Sequence, residues 1–141
     1  MIMARRDDDD ELRIVIQRVA RRIRNNRAEG DLGDSQLSVL FYLEARGPLT
    51  PTELAALEHV TPPSMNRTVN GLEEAGYVER ERATEDARKV LVKLLPAASG
   101  LLDETRRLRS AWFSDELASL TDDERTALET AMPALRKLAG A

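Results

Sequence analysis

The sequence predicts a mainly α-helical fold carrying one small β-hairpin. Two short helices with strong N-terminal signals lie about four residues apart within 50–76, the spacing of a helix-turn-helix. Directly after them, two runs of alternating apolar and charged residues flank a polar turn. Longer helical stripes bracket this centre on both sides. The combination predicts a winged helix-turn-helix core at 35–95, with helical segments at 1–34 and 96–141 expected to form a dimerisation region.

At 141 residues the chain suits one domain with helical extensions. No apolar run reaches the roughly 20 residues of a membrane span, and the acidic opening (Asp7, Asp8, Asp9, Asp10, Glu11) is the reverse of a secretory signal. A soluble, cytoplasmic protein with no membrane partner is therefore expected. Having no cysteine, the chain can form no disulfide, thiolate metal site or thiol redox switch, and its one histidine, His59, rules out a His-rich metal site. No cofactor is expected. Catalysis has no support either: there is no Gly-rich phosphate loop, and Ser64 near His59 is not a triad signal. The balance of 21 Lys and Arg against 25 Asp and Glu gives a net charge of −4, so any nucleic-acid binding must rest on locally concentrated basic residues.

Residues 11–27 read as the first helix, with Leu12, Ile16, Val19 and Ile23 on one stripe. Arg13, Arg18, Arg21, Arg22, Arg24 and Arg27 cover much of the remainder, either as a solvated face or as neighbours of a DNA backbone. A loop rich in Asn, Asp and Gly follows at 25–33. Asp34 or Ser35 can cap a second helix that runs through Ala45. Leu37, Val39, Leu40, Phe41, Tyr42 and Leu43 make it apolar nearly all round, which predicts burial. Gly47 and Pro48 stop it.

Thr50-Pro51-Thr52-Glu53 reads as a capping box, with Pro51 at the first helical position and Glu53 reaching back to Thr50. The short helix it opens turns Leu54 and Leu57 inward, and His59 and Val60 form the turn that follows. Thr61 then caps the next helix, with Pro62 at its first position. At about 100° per residue, Met65, Val69 and Leu72 form one apolar stripe. Pro63, Arg67, Asn70 and Glu74 take the opposite face, with Ser64 and Gly71 at its margin and Asn66 to one side. Gly76 supplies the left-handed residue that ends the helix. A guanidinium, amides and a hydroxyl near a helix N-terminus are groups that read base edges and phosphates, but a plain surface helix also has a polar outer face. The neighbouring elements decide between the two.

Strands are expected at 77–82 and 88–94, where Val90, Val92 and Leu94 alternate with Lys89, Leu91 and Lys93. Ala83-Thr84-Glu85-Asp86-Ala87 joins them as a polar turn. From Pro96 a helix of roughly 24 residues, near 36 Å long, carries Leu101, Leu102, Leu108, Trp112 and Phe113. Thr121-Asp122-Asp123-Glu124 is a second capping box, opening a last helix with Leu128, Leu135 and Leu138 inward and a kink expected at Pro133. The stripes of the first and long helices exceed what a small winged-helix core can cover, which predicts burial against a second copy. Leu12, Ile16, Trp112, Phe113, Leu135 and Leu138 are the expected interface, an intramolecular core being the other place for Trp112. A two-fold dimer also places two recognition helices about one DNA turn apart, over a palindrome.

With these elements assigned, the chain resembles the MarR (multiple antibiotic resistance regulator) family. The order of helix, buried helix, helix-turn-helix, wing, long helix and final helix is similar over essentially the whole chain. The most specific part is LTPTELAALEHVTPPSMNRTVNGLEEAGYVER. The family's Asp-x-Arg in the wing corresponds to Asp86-Ala87-Arg88, ahead of Lys89-Val90-Leu91-Val92. Ala87 stands where members often carry a second arginine, and Leu94-Leu95-Pro96 where Leu-Thr-Pro is usual. The resemblance implies a homodimeric, sequence-specific regulator of double-stranded DNA, most often a repressor. The recognition-helix set is Thr61, Pro63, Ser64, Asn66, Arg67 and Asn70. Arg88 would enter the minor groove, braced by Asp86, an ordinary cross-hairpin ion pair being the competing reading. A small acid, often aromatic or phenolic, is the implied effector, bound between the dimer helices and the DNA-binding lobe, with no pocket residues named. Residues 49–76 carry Arg67 against Glu53, Glu58, Glu73 and Glu74, a net −3. That balance keeps open a rival function, a winged-helix dimerisation or protein-interaction module without specific DNA binding.

Overall fold

Caps and glycine stops account for most element boundaries. In the computed structural model, which describes residues 2–30 and 32–140, the order is α1 (Ile2–Asn25), α2 (Asp34–Arg46), α3 (Pro51–Glu58), α4 (Pro62–Glu74), β1 (Val78–Arg82), β2 (Val90–Leu94), α5 (Pro96–Ala118) and α6 (Asp122–Ala139). Asp31, in the expected loop at 25–33, lies outside the described residues. The chain divides into two compact units, Arg27–Arg107 and a second built from Met1–Asn26 with Leu108–Ala141.

The first unit holds the apolar core. Leu37, Val39, Leu40 and Leu43 of α2 are buried with Leu54, Met65, Val69, Leu72, Val78, Val92, Ala98 and Leu102. Phe41 and Tyr42, expected to be buried, pack against this core half-exposed. Gly33, rather than Asp34 or Ser35, is the N-cap of α2. The Asp34 carboxylate is engaged by Arg27 at 2.5 Å, and the Gly33 N–H donates to Gln36 Oε1 at 3.0 Å instead. In α3 the Thr50 hydroxyl accepts from the Glu53 N–H at 3.1 Å, while the expected return bond from Glu53 is not made.

The hairpin is antiparallel, with Val78 opposite Leu94 and Arg82 opposite Val90. Both strands are shorter than expected because backbone groups at their ends are committed elsewhere. The Tyr77 N–H goes to Leu72 O at 3.0 Å, and the Arg88 N–H to Asp86 Oδ1 at 3.0 Å. A further rung joins Leu49 to Val92 through bonds of 3.2 and 2.7 Å, tying the approach to α3 onto the wing. The first part of α5 buries Ala98, Leu102 and Thr105, whose hydroxyl accepts from the Ala28 N–H at 3.1 Å.

The second unit differs in kind: none of its described residues is buried. Here α1 starts well before residue 11, so the acidic run is helical, with Asp10 paired to Arg13 one turn on at 3.5 Å. Arg109 donates to the carbonyls of Arg24 and Asn26 at 3.4 and 3.2 Å, meeting acceptors that the end of α1 leaves open. Trp112 is half-buried beneath the Arg22 guanidinium, 4.9 Å from its ring centre, and Arg22 also reaches Glu116 at 3.4 Å. Both arms of the Thr121–Glu124 capping box form, at 2.9 and 3.2 Å, and α6 runs through Pro133 as one element. The expectation that Leu128, Leu135 and Leu138 point inward is corrected: they are 44%, 36% and 73% exposed. In the single chain, none of the described residues of α6 is buried.

Candidate nucleic-acid interface

The helix expected to face DNA is α4, and its orientation follows from its apolar stripe. Met65, Val69 and Leu72 are fully buried, as the 3.6-residue period predicts. Their burial leaves Pro63, Asn66, Arg67, Asn70 and Glu74 exposed, with Ser64 half-buried and Thr61 exposed at the entrance. The Thr61 hydroxyl accepts from the Ser64 N–H at 3.3 Å and so caps the helix start. Among the described residues, no protein partner engages the Arg67 guanidinium or the Asn66 and Asn70 amides.

Two glycines set how α4 sits. A Cβ on Gly71 would lie 2.7 Å from Gln36 Nε2, the side chain that also holds the Gly33 N–H. Gly71 therefore leaves room for the tip of the Gln36 side chain, a packing role that its place beside the polar face did not disclose. At the other end Gly76 has φ +82. The N–H of Gly76 bonds Glu73 O and that of Tyr77 bonds Leu72 O, the paired bonds of a Schellman stop. The chain leaves this stop directly into β1. His59, the only described non-glycine with positive φ (55°), ends α3 and is exposed in the preceding turn.

The wing is clamped to the helix by a contact missed at the sequence level. Glu73 Oε1 accepts a hydrogen bond from Arg80 Nη1 at 3.0 Å, and Oε2 accepts one from the Arg80 backbone N–H at 3.1 Å. The signal lay in an acid and a base seven residues apart across the Gly76 stop. At the tip, Asp86 Oδ1 accepts the backbone N–H of Arg88 at 3.0 Å, and Lys89 N–H bonds Asp86 O at 3.0 Å. Asp86 thus shapes the turn. The competing reading of an Asp86–Arg88 ion pair does not hold, since among the described residues no carboxylate pairs with the Arg88 guanidinium. The cross-hairpin ion pair that does form is Lys93–Glu81, at 3.9 Å.

The arrangement offers one exposed helix of unpartnered amide and guanidinium groups beside a hairpin tip with an exposed arginine. No described helix is long and apolar enough to cross a membrane. A MarR family model matches residues 31–89. An uncharacterised HTH-type transcriptional regulator of Mycobacterium leprae is 35% identical, over 91% of this chain and 90% of its own length. The multiple antibiotic resistance protein MarR of Salmonella typhimurium is 30% identical, over 82% of this chain and 81% of its own. The crystal structure of wild-type MarR from E. coli in its apo form matches with a TM-score of 0.75 at 26% identity, covering 90% of this chain and 95% of that one. This winged helix-turn-helix chain belongs to the MarR family of DNA-binding transcriptional regulators.

Proposed function

We propose that the protein acts in the cytoplasm as a homodimeric repressor of a palindromic operator, released by a small aromatic or phenolic acid. The observation that carries the DNA-reading half is the exposed face of α4, where Asn66, Arg67 and Asn70 stand opposite the buried stripe with no protein partner among the described residues. Arg67 and Asn70, with Asn66 and Ser64, read base edges in the major groove, and the helix start around Thr61 and Pro63 meets phosphate. Arg88 takes the minor groove. The segments 1–34 and 96–141 make the dimer, while 35–95 binds DNA. Support for the dimer is the second unit, in which no described residue is buried while Leu12, Ile16, Phe113, Leu135 and Leu138 are exposed. The effector acts by biasing the distance between the two recognition helices, a coupling between separate sites.

The test is fluorescence anisotropy on labelled duplex from upstream of the protein's own gene, against a random duplex, at about 50 and 200 mM salt. Preference for the upstream duplex at the higher salt is expected. Arg67→Ala should weaken that specific binding by roughly 1–3 kcal/mol and narrow the gap to the random duplex. Undiminished discrimination in the variant would remove α4 from base reading. Failure of the wild type to bind either duplex would replace the proposal with a dimeric interaction module, as the net −3 of residues 49–76 allows.

A further inference from the structure

The wing sorts its charges by face, and the register shows how. Val78, Arg80 and Arg82 alternate onto one side of β1, opposite Leu94, Val92 and Val90 of β2. Val78 and Val92 are buried, and Arg80 on this side is bonded to Glu73 of α4. This side of the hairpin is therefore the one turned to the recognition helix. Glu79 and Glu81 take the other side, where Glu81 pairs with Lys93. Arg82 lies two residues beyond Arg80 on the helix side, about 7 Å further toward the tip. It is exposed, and among the described residues its guanidinium has neither a hydrogen bond nor an ion pair.

We infer that Arg82 is a DNA phosphate contact, placed between the recognition helix and the wing tip. The inference rests on the DNA-binding reading of α4 and the wing. Its chemistry is that of a single exposed cation meeting backbone oxygens, which adds affinity and salt dependence without reading bases. It also bears on how an acidic helix-turn-helix can grip a polyanion. The carboxylate of Glu73 is neutralised by Arg80 and those of Glu79 and Glu81 sit on the far side, which leaves Arg82 as the charge on the helix side of β1 with no counter-charge among the described residues.

The experiment is the salt dependence of binding for the wild type, Arg82→Gln, Arg82→Lys and Glu81→Gln, on upstream and random duplex. Circular dichroism melts verify that each variant folds. Losing one phosphate contact lowers the slope of log K against log salt by about 0.9, so the advantage of wild type over Arg82→Gln should shrink about 3.5-fold between 50 and 200 mM salt. The loss should be equal on both duplexes, Arg82→Lys should restore the slope, and Glu81→Gln should keep the wild-type slope. An Arg82→Gln slope equal to wild type overturns the inference, as does a loss confined to the upstream duplex, which would make Arg82 a base reader. A wild type that binds no DNA overturns the functional reading as well, so the two failures are distinct.

Discussion

Arg67 and Arg88 carry the same charge but sit in different local frames, and the proposed function assigns them different work. Arg67 projects from a rigid helix whose opposite stripe is buried, a geometry suited to bidentate contact with base edges. Arg88 follows an Asp86-centred turn at a hairpin tip, where a guanidinium can enter a narrow, electronegative minor groove. Arg88→Ala should therefore lose most affinity on operators with A·T-rich flanks, measured by anisotropy on a flank series. Equal loss on every flank would argue against insertion. At the same scale, the Thr121 backbone N–H, and secondarily its side chain, hold the Glu124 carboxyl below the ordinary glutamate range. A depressed folded-state pKa contributes stability that is complete above the unfolded value and is lost as pH falls through the folded one. Glu124→Ala should thus lower the melting temperature at pH 7, and this deficit should fade as pH drops below the usual glutamate range. A deficit independent of pH would show that the carboxylate's charge plays no part. The Thr121–Glu124 pair was legible from spacing alone, since both partners lie within one helical turn. Glu73–Arg80 was not, because its two residues meet only after the chain turns at Gly76.

Among the elements, helix starts and stops were the most legible. Thr50, Thr61 and Thr121 all occupy N-caps, and Gly47 and Gly76 both adopt positive φ where helices end. Gly76→Ala tests this directly. Forcing a Cβ into the left-handed region costs about 1–2 kcal/mol, and here it would disturb the junction between α4 and the wing. Urea unfolding should show that loss, together with weaker DNA binding from a displaced wing. Wild-type stability in the variant would show that the Schellman stop tolerates another path. Boundaries failed where a competing partner, even one a few residues away, took the group that the cap or the sheet was expected to use. Arg27 took the Asp34 carboxylate from the cap of α2, and Leu72 and Asp86 took the N–H groups of Tyr77 and Arg88 from the sheet.

For the whole molecule, the contrast between the two units is the main energetic fact. One has a closed core, while the other exposes Leu12 (56%), Val15 (46%), Leu128 (44%) and Leu138 (73%). Apolar surface on that scale favours association. In the proposed dimer, a charge placed there by Ile16→Asp should raise the dissociation constant by about 100-fold, near 2.7 kcal/mol, in sedimentation equilibrium. An unchanged dissociation constant would remove α1 from the interface. Helix phase, caps and the polar face of α4 were all open to reading because each depends on residues within a few turns of one another. The Leu49–Val92 rung, the Glu73–Arg80 clamp, the fit of Gln36 over Gly71 and the exposure of the α6 leucines belong to the tertiary structure. Each is settled by groups that only the folded chain brings together, whether close in sequence as Glu73 and Arg80 are or far apart as Leu49 and Val92 are, and for α6 by the exposure its leucines keep in the single chain.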